Sequence, residues 1–501
     1  MAGTNLNDPQ LLVERAFIGG AWCSAGDGKI LSVENPATGE VIGTIPDCGP
    51  AETSDAIEEA ERALAAWRVR PAGERAALLE RWHALVLQNA RDLALIMTLE
   101  QGKPVKESGG EIQYAASFIK WFAEEGRRIN GYSVPAPTSD RRILVMKEPV
   151  GVTAAITPWN FPAAMITRKC APALAAGCTV VIKPSEMTPF SALALALLAQ
   201  RAGIPPGVLN VVTGLPAAIG AALTSNPSVR KLSFTGSSQV GALLMRQSAE
   251  TIKRLSLELG GNAPMIVFDD ADIDVAVASA MACKFRNAGQ TCVCANRILV
   301  QDAVYEAFAA RLAAAVRELK VGDGRSSATS IGPLINERAV RKVREHIEDA
   351  LQKGAIALTN PSSGLEPARF VDPVILTGGT QTMRLAQEET FGPVAPLFRF
   401  YDEAEAIELA NATPHGLASY FYTQDIHRAW RVAERLEAGI VALNTGVVSM
   451  EMAPFGGIKQ SGLGREGGAA GIEEYLELKA FHIGGLKAAS DERRPPTSRG
   501  R

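Results

Sequence analysis

The chain has 501 residues, of which 47% are hydrophobic and 21% are charged. This length allows two or three domains with large buried cores, and the composition is that of a soluble globular protein. The formal net charge of -3 gives no reason to expect nucleic acid or a membrane surface as a partner.

The cysteines and the amino terminus indicate a reducing compartment. Seven cysteines at scattered positions form neither a secreted disulfide framework nor a zinc-binding pattern. The first ten residues, MAGTNLNDPQ, lack the basic and apolar regions of a signal peptide. No apolar run approaches the roughly 18 residues that favour a membrane span. We therefore expect a cytoplasmic protein without a bound metal.

The first third of the chain predicts short strands followed by helices. Residues 17–45 mix short apolar runs with turns, whereas residues 53–128 are rich in Ala, Leu, Glu and Arg. Breaks at Pro71 and at residues 102–104 divide the second stretch into three predicted amphipathic helices. Residues 141–147, RRILVMK, predict a strand in an exposed ribbon.

The clearest pattern begins at Gly151. Four short apolar runs, VTAAIT, CTVVIK, GVLNVV and KLSF, alternate with helical segments that begin near Pro162, Pro189 and Pro216. Continuous apolar runs separated by helices are typical of buried parallel strands, so the pattern predicts a doubly wound, Rossmann-type sheet. A second alternation, over residues 265–444, predicts a second α/β domain.

A glycine-rich turn follows the KLSF strand. In FTGSSQVG, Gly236 and Gly241 flank a predicted helix start, where backbone N–H groups and the helix dipole favour a phosphate. The spacing differs from the G-x-G-x-x-G fingerprint. In its strand-turn-helix context the turn therefore leaves nucleotide binding and an ordinary turn equally open.

The stretch FRNAGQTCVCANR, residues 285–297, contains the candidate nucleophile Cys292. Its neighbours Arg286, Asn287 and Gln290 are more polar than a buried structural cysteine needs, and a lowered pKa would make the thiolate reactive at neutral pH. A structural cysteine in a polar loop is the alternative. Partner residues elsewhere in the chain must decide between the two.

Candidate partners lie in three other motifs. Asn160 in TPWNFP offers an amide donor to an oxyanion, or else an Asx-turn before Pro162. Glu258 in LELGGNAP is either a general base with a raised pKa or a capping, solvated carboxylate. Glu389 in EETFGP lies close to an aromatic residue and a Gly-Pro turn.

Together these motifs resemble the aldehyde dehydrogenase superfamily. TPWNFP, KPSEMTP, FTGS, LELGG, GQTC, EETFGP and PFGG occur in that family's order, over about residues 15–485. FPAAMITRK, LSLELGGNAP, CKFRNAGQTCVCANR and SGLGREG look like the subgroup that oxidises succinic semialdehyde.

The resemblance implies an α/β fold with a Rossmann-type cofactor domain, an α/β catalytic domain and a small bridging β-ribbon. The expected boundaries are residues 1–130 and 148–258 for the NAD(P)-binding domain, 259–445 for the catalytic domain, and 131–147 with 470–486 for the ribbon. Such a ribbon implies a homodimer or homotetramer. Residues 487–501 are polar, basic and proline-containing, which predicts a disordered tail.

The implied chemistry assigns a role to each candidate. Cys292 would attack the aldehyde carbon, and the Asn160 amide with the Cys292 N–H would hold the oxyanion of the thiohemiacetal. Glu258 would activate the water that hydrolyses the later thioester. Glu389 is implied at the nicotinamide ribose and Lys183 at the adenosine ribose. The other implied cofactor contacts are Thr157, Pro158, Trp159, Glu186, Gly236, Ser237 and Phe391.

Glu186 bears on the choice of cofactor. Family members with Glu at this position tend to bind both adenosine-ribose hydroxyls with it, and the carboxylate would repel a 2′-phosphate. We therefore expect NAD to be preferred, with NADP as the alternative.

Two arginines bear on the choice of substrate. Arg168 and Arg286 align with the subgroup's carboxylate-binding arginines and Ser449 with its hydroxyl contact, and arginine suits a planar anion. Ordinary salt bridges are the alternative role. The implied substrate is succinic semialdehyde. Glutarate semialdehyde or another ω-oxo acid is the first alternative, and a non-catalytic structural or binding protein is the second.

Cys294 lies two residues after the candidate nucleophile. A small packing residue is one interpretation. Because the subgroup includes members with this Cys-Val-Cys pair that respond to oxidation, a strained and easily reduced disulfide between Cys292 and Cys294 is the other.

Overall fold

The computed structural model describes residues 5–359 and 369–486. The α-helices of these ranges are α1 (Pro50–Trp67), α2 (Ala72–Gln88), α3 (Ala90–Gln101), α4 (Val105–Glu125), α5 (Ala164–Ala176), α6 (Phe190–Arg201), α7 (Pro216–Ser225), α8 (Ser238–Ser248), α9 (Ile273–Lys284), α10 (Asp302–Arg317), α11 (Glu337–Gln352), α12 (Arg384–Gln387), α13 (Glu403–Asn411), α14 (Ile426–Arg435) and α15 (Ala470–Glu473).

The strands of the described residues are β1 (Ala16–Ile18), β2 (Ala21–Cys23), β3 (Ile30–Glu34), β4 (Val41–Pro46), β5 (Tyr132–Val134), β6 (Arg142–Pro149), β7 (Val152–Ile156), β8 (Thr179–Lys183), β9 (Leu209–Val211), β10 (Val229–Thr235), β11 (Arg254–Glu258), β12 (Ala263–Val267), β13 (Ala295–Gln301), β14 (Ile356–Ala357), β15 (Val374–Gly379), β16 (Val394–Phe400), β17 (His415–Gly416), β18 (Ala418–Tyr422), β19 (Ile440–Leu443), β20 (Ile458–Lys459), β21 (Gly462–Leu463) and β22 (Leu476–Ile483).

An eight-stranded sheet contains the first predicted alternation. Its order is β2-β1-β9-β8-β7-β10-β11-β21. The central strands from β9 to β11 are parallel, and β1 and β21 join them antiparallel at the two sides. Strands β7 and β8 are buried along their whole length, as continuous apolar runs with helices on both faces require. The predicted α/β class is confirmed.

A seven-stranded sheet contains the second alternation, in the order β14-β15-β16-β13-β12-β18-β19. All its neighbours are parallel except β14 and β15. Cys292 lies three residues before β13 begins at Ala295. The candidate nucleophile is therefore held at the end of a central strand rather than on a free surface loop.

Strand register brings the predicted motifs of the first sheet together. Ile156 is paired with Phe234, and Thr235 is paired with Glu258. The three strands β7, β10 and β11 therefore end side by side. Ligands of open α/β sheets bind beyond such carboxyl ends, and the loop with Asn160, the turn at Gly236 and the side chain of Glu258 all begin there.

The helical region differs from its prediction. We expected three helices over residues 53–128, and the structure has four, because α2 and α3 are separate. The break falls at Asn89, whose backbone leaves the helical region at φ −102° and ψ 14° and whose side-chain amide donates to the Leu85 carbonyl at 2.8 Å. Asn competes for backbone groups in this way, and a search for Pro and Gly breaks misses it.

A three-stranded sheet lies where the ribbon was expected, in the order β22-β6-β5. Strands β6 and β22 are paired over eight positions, from Arg142 opposite Ile483 to Pro149 opposite Leu476. The predicted tail at residues 487–501 lies outside the described residues. Within the described ranges no helix is long and apolar enough to cross a bilayer, and no cluster of His, Cys, Asp and Glu side chains could hold a metal ion.

Candidate active site

A cavity of about 660 Å³ has Cys292 on its wall. Segments that lie far apart in the sequence meet there, since the strand ends of the first sheet face the loop before β13. Among its lining residues are the sequence-predicted Pro158, Trp159, Asn160, Gly236, Ser237, Cys292, Glu389 and Phe391.

The loop before Cys292 has a left-handed backbone. Asn287 and Ala288 have φ of 52° and 54°, a conformation that costs roughly 1 kcal/mol for a residue with a Cβ atom. Hydrogen bonds hold it in place. The Asn287 N–H donates to the Glu107 carboxylate at 2.8 Å, and the Asn287 side chain accepts from Gln101 at 2.9 Å and donates to the Asn160 carbonyl at 3.0 Å.

The side chain of Asn160 is fixed beside the nucleophile loop. Its amide nitrogen donates to the Gln290 carbonyl at 3.1 Å, and its oxygen accepts from the Phe161 N–H at 3.1 Å. Because an amide carries two N–H donors, one remains for a ligand in the cavity that Asn160 lines. This arrangement leaves a donor for an oxyanion, and the side chain does not close an Asx-turn two residues ahead.

The thiol of Cys292 does not have the lowered pKa that its polar neighbours suggested. Burial raises the pKa to about 12, Arg168 and Arg286 lower it, and Glu389 and Glu258 raise it further. The sequence showed Arg286 but not that the loop would be enclosed, and desolvation of the thiolate outweighs nearby guanidinium charges here. At neutral pH the candidate nucleophile Cys292 is therefore a neutral thiol.

Glu258 lies at the end of β11 and is buried. Neither of its carboxylate oxygens has a hydrogen-bond partner among the described residues. Burial raises the pKa of Glu258 well above its ordinary value, Glu466 raises it further, and Arg168 and Lys169 lower it. A buried carboxyl group with a raised pKa and free oxygens is a candidate for proton transfer, and its charge acts on the Cys292 thiol.

Arg168 is engaged in a buried ion pair. Its Nε lies 2.5 Å from the Glu466 carboxylate, which also pairs with Lys169. The guanidinium lies over the Phe455 ring, 4.3 Å from its centroid. Burial alone would raise the pKa of Glu466, but the charges of Lys169 and Arg168 outweigh it and hold that pKa low. The positive charge of Arg168 lowers the pKa of the Cys292 thiol, but the Glu466 carboxylate already balances that charge.

The start of α8 faces the cavity. Ser237 caps the helix, with its Oγ accepting from the Val240 N–H at 3.3 Å, and the Gly236 N–H donates to the Glu258 carbonyl at 3.0 Å. Gly236 has no room for a side chain, because a Cβ atom would lie 2.4 Å from the Phe234 ring. A bare turn that leads into a helix start fits a pyrophosphate.

Glu389 and Phe391 line the same cavity from another side. Phe391 has a left-handed backbone with φ of 57° and packs edge-on against Trp159, with 5.6 Å between ring centroids. Burial raises the pKa of Glu389 to about 7, against the charge of Lys342 and a hydrogen bond from the Gly261 N–H. Lys342 was not predicted, and it donates through Nζ to the Glu389 carbonyl at 2.5 Å.

Three predicted cofactor contacts lie just outside this lining. The Thr157 N–H donates to the Lys183 carbonyl at 3.0 Å. Lys183 is buried and its ammonium is paired with the Glu186 carboxylate at 2.8 Å. Glu186 lines an adjacent cavity together with Met187, which both cavities share.

A separate cavity of about 280 Å³ contains Arg286 and Ser449. Tyr114, which the sequence did not reveal, lines it too. The Tyr114 hydroxyl and the Arg286 Nε are buried and have no hydrogen-bond partner among the described residues. The Arg286 guanidinium lies over Phe161, 5.3 Å from the ring centroid. Both groups are donors from which an anion in this cavity could accept a hydrogen bond.

Cys294 packs away from solvent. Its Sγ lies 3.5 Å from the Lys284 carbonyl, and burial raises the pKa of its thiol. Cys292 and Cys294 are both free thiols.

Glu466, Lys169 and Tyr114 are the main residues that sequence reasoning missed. Glu466 lies in SGLGREG and Lys169 in FPAAMITRK, so both belong to motifs that were recognised without a role for these side chains. An acidic or basic residue that lies within a recognised motif and has no assigned role is the sequence signal that could have found these two.

Comparison with known proteins gives consistent matches over nearly the whole chain. The aldehyde dehydrogenase family model matches residues 22–481. A glutarate-semialdehyde dehydrogenase of Pseudomonas putida is 60% identical over 478 residues, which are 95% of this chain and 99% of that protein. A succinate-semialdehyde dehydrogenase of Escherichia coli, named for NADP(+), is 59% identical over 479 residues, which are 96% of this chain and 99% of that protein.

Solved structures agree. The crystal structure of succinate-semialdehyde dehydrogenase from Burkholderia pseudomallei matches with a TM-score of 0.94 and 60% identity, and the match covers 96% of this chain and 100% of that one.

The expected preference for NAD is wrong, since the Escherichia coli relative is named for NADP(+) at 59% identity. The physical reason lies in the surroundings of Glu186. Its carboxylate is paired with the Lys183 ammonium at 2.8 Å, so it does not meet a 2′-phosphate as an uncompensated negative charge. The expectation treated Glu186 as an isolated charge.

The raised pKa of Cys292 predicts slow alkylation of the free protein at neutral pH. The rate with iodoacetamide should rise by about tenfold per pH unit from pH 7 to pH 10, because only the thiolate reacts. Mass spectrometry of the labelled peptides measures the rate at Cys292 alone, with Cys292→Ser as the blank. A rate that has already reached its plateau at pH 7.5 would contradict the raised pKa.

Removal of the Glu466 charge should destabilise the fold. Glu466→Gln leaves Arg168 and Lys169 buried without their counter-ion, which should cost about 3–5 kcal/mol of unfolding free energy. The pKa of Glu466 is lowered to about 2 in the folded state, so its contribution is present in full above the ordinary value of 4.5 and is lost progressively as the pH falls from there through about 2. Urea unfolding of both proteins at pH 7 measures the first effect, and urea unfolding of the wild type from pH 7 down to about pH 2.5 measures the second.

Glu306→Gln is the matched control, since Glu306 pairs with Arg399 at 2.7 Å but its side chain is 82% exposed. Exposed pairs contribute about 0–1 kcal/mol. If the two variants lose equal stability, the buried cations do not depend on Glu466.

Proposed function

We propose that this chain, which belongs to the aldehyde dehydrogenase family, oxidises succinic semialdehyde to succinate with a nicotinamide dinucleotide as electron acceptor. One aldehyde, one water and one oxidised cofactor give one carboxylic acid, one reduced cofactor and one proton. The choice of substrate rests on one observation. In one cavity the Arg286 Nε and the Tyr114 hydroxyl are buried without a hydrogen-bond partner among the described residues.

That cavity contains two cations, and only one of them is available. Lys103 is paired with Glu111 at 2.5 Å and also donates to the Asn160 carbonyl at 2.7 Å. Arg286 has no comparable partner, and one oxygen of the nearby Glu107 accepts from the Asn287 N–H. The guanidinium of Arg286 is therefore the group left for a substrate carboxylate.

A carboxylate bound by Arg286, with the hydroxyls of Tyr114 and Ser449 beside it, leaves the other end of the substrate directed at the nucleophile. Phe161 supports this arrangement, because it lies under Arg286 and directly follows Asn160. Each charge-assisted hydrogen bond is worth about 1.5–3 kcal/mol, so the site selects ω-acid aldehydes over neutral ones by about ten- to a hundredfold.

Attack by Cys292 requires loss of the thiol proton. The buried carboxylate of Glu258, whose pKa is raised, is the base within the enclosed site. As the carbon–sulfur bond forms, the aldehyde oxygen becomes an oxyanion, and the free N–H of the Asn160 amide with the Cys292 backbone N–H stabilises it. One such donor is typically worth about 3–4 kcal/mol. The nicotinamide cofactor, when bound, supplies the acceptor for the hydride that leaves the thiohemiacetal carbon.

The resulting thioester on Cys292 is hydrolysed by water. Glu258 first releases the thiol proton to solvent, and this is the one proton of the overall reaction. It then takes a proton from the water as the water oxygen attacks the thioester carbon. It gives this proton to the sulfur as the carbon–sulfur bond breaks, which releases the acid and restores the thiol. The same carboxylate thus serves twice, which its free oxygens permit.

NADP+ is included among the proposed acceptors. Lys183, buried behind Glu186 at 2.8 Å, supplies a positive charge at the proposed adenosine ribose. The start of α8 at Ser237, with Gly236 bare beside it, would hold the pyrophosphate.

A five-carbon substrate is the second candidate. The relative named glutarate-semialdehyde dehydrogenase is as similar to this chain as the one named for succinate semialdehyde. The acid-binding cavity of about 280 Å³ also has room for one more methylene group.

Self-association through the ribbon is also proposed. Its strands expose apolar side chains to solvent, namely Tyr132, Val134, Leu144, Met146, Leu478 and Phe481. Exposed apolar surface of this kind favours a protein partner, here a second copy in a dimer or tetramer. All seven cysteines are free thiols, which supports the cytoplasm as its location.

Arg286→Gln tests the substrate assignment. With succinic semialdehyde the variant should lose at least tenfold in kcat/KM, because the substrate carboxylate no longer meets the Arg286 guanidinium. With butanal, which has no carboxylate, kcat/KM should stay the same. Tyr114→Phe should show a smaller loss of the same kind. Reduced-cofactor absorbance measures all rates, with glutarate semialdehyde as the second acid. Equal losses on the acid and on butanal would assign Arg286 to the fold and not to the substrate.

Glu258→Gln should slow turnover by at least a hundredfold, because the variant lacks a base for the attacking water. Rapid mixing separates the steps, and mass spectrometry of the quenched protein should show the acyl group on Cys292. A variant that turns over at the wild-type rate would remove Glu258 from the mechanism.

A further inference from the structure

A smaller cavity adjoins the cavity of about 660 Å³ that Cys292 lines. Its volume is about 220 Å³, and the two cavities share Met187, Ile335 and Asn336. If a dinucleotide binds with its nicotinamide at Cys292 and its pyrophosphate at the start of α8, its adenosine would lie toward these shared residues. Because Glu186 lines the smaller cavity, a substituent on the adenosine ribose would then enter it.

Arg369 forms part of the wall of this smaller cavity. It is paired with Glu34 at 2.7 Å, and its side chain is only 17% exposed. The backbone of Arg369 is fixed, because its carbonyl accepts from the Leu334 N–H at 2.9 Å, directly before the shared residue Ile335. A cation is therefore held at a defined place in the cavity, with Glu34 at the end of β3 as its counter-ion.

The other charges of the cavity are already engaged. Glu186 is paired with Lys183. Both oxygens of Glu100 accept hydrogen bonds, from the Phe190 and Ser191 N–H groups and from the Ser191 hydroxyl. Burial raises the pKa of Glu100 to about 8, so it is mostly neutral at pH 7. An anion that enters must compete with Glu34 for Arg369.

The cavity has room for such an anion. A water occupies about 30 Å³ of liquid volume, so the five heavy atoms of a phosphate group need roughly 150 Å³, less than the cavity offers. Ser32 adds a hydroxyl to the lining.

We propose, on the basis of the proposed use of NADP+, that this cavity is the subsite for the 2′-phosphate and that Glu34 sets how strongly it binds. The ion pair with Glu34 holds Arg369 in position but also opposes an incoming dianion. The balance between these two effects makes Glu34 and Arg369 determinants of cofactor specificity. They are 335 positions apart in the sequence.

Two variants with opposite expected effects test the proposal. Glu34→Gln removes the competing carboxylate, and Arg369→Gln removes the cation. Isothermal titration of the full chain with adenosine 2′,5′-bisphosphate should show about tenfold tighter binding to Glu34→Gln and about tenfold weaker binding to Arg369→Gln. Adenosine 5′-monophosphate, which lacks the 2′-phosphate, should bind both variants within twofold of wild type. It also reports whether each variant has kept its fold.

Glu40→Gln is the control. The exposed Glu40 lies on the same amino-terminal hairpin, its carboxylate accepts among the described residues only from the Thr38 hydroxyl at 3.3 Å, and it does not line the cavity. Effects on the bisphosphate in the same direction for both variants, equal effects on the two nucleotides, or no effect would overturn the subsite. Turnover of succinic semialdehyde by the wild type is measured separately. Its absence would sink the proposed function, while the titrations would still decide whether the cavity binds a 2′-phosphate.

Discussion

The buried pairing of Glu466 with Arg168 and Lys169 is the interaction on which the electrostatics of the site depend. It places two positive charges and one negative charge in a buried cluster, where each charge acts strongly. Glu466 remains ionised because two cations contact it. Glu258 is affected by the same charges but has no hydrogen-bond partner among the described residues, and burial pushes it toward its neutral form.

Two glutamates of one enclosed site therefore have opposite pKa shifts, and this difference divides their roles. Environments that push the pKa values of neighbouring groups apart are the usual way to assign an acid, a base or a fixed charge. Glu466 is a permanent charge that balances the cations. In the proposed mechanism Glu258 is the group that gains and loses a proton. Burial raises the pKa of the Cys292 thiol as it does that of Glu258, so the proposed attack requires an ionised Glu258 to take the thiol proton as the carbon–sulfur bond forms.

The sequence predicted much of this architecture, because it depends on local pattern. The buried runs at β7, β8 and β10 were visible as apolar stretches, and the motif order identified the aldehyde dehydrogenase family, which the family match over residues 22–481 confirms. The split at Asn89 was missed because its cause is a single side-chain hydrogen bond. Periodicity does not carry that information.

The sequence did not predict which side chains of the site are buried or which of them form ion pairs and hydrogen bonds with each other. Arg168 looked like a free cation in the sequence, yet Glu466, almost 300 positions later, balances it. The polar neighbours of Cys292 suggested a solvated thiol. In the structure the side chains of two of them, Asn287 and Gln290, instead donate hydrogen bonds to backbone carbonyl groups and hold the left-handed loop in place. Polar residues that bind each other enclose a thiol as effectively as apolar ones.

Glu186 shows the same principle at the cofactor. A carboxylate repels a phosphate only to the extent that its charge is uncompensated, and a cation at 2.8 Å cancels most of its field beyond the pair. In the proposed 2′-phosphate subsite, cofactor choice depends on the summed charge of two ion pairs, Glu186 with Lys183 and Glu34 with Arg369. Because each pair is nearly neutral, the proposal expects a change of one charge in either pair to alter the preference, so no single one of the four residues is a sufficient guide to the cofactor.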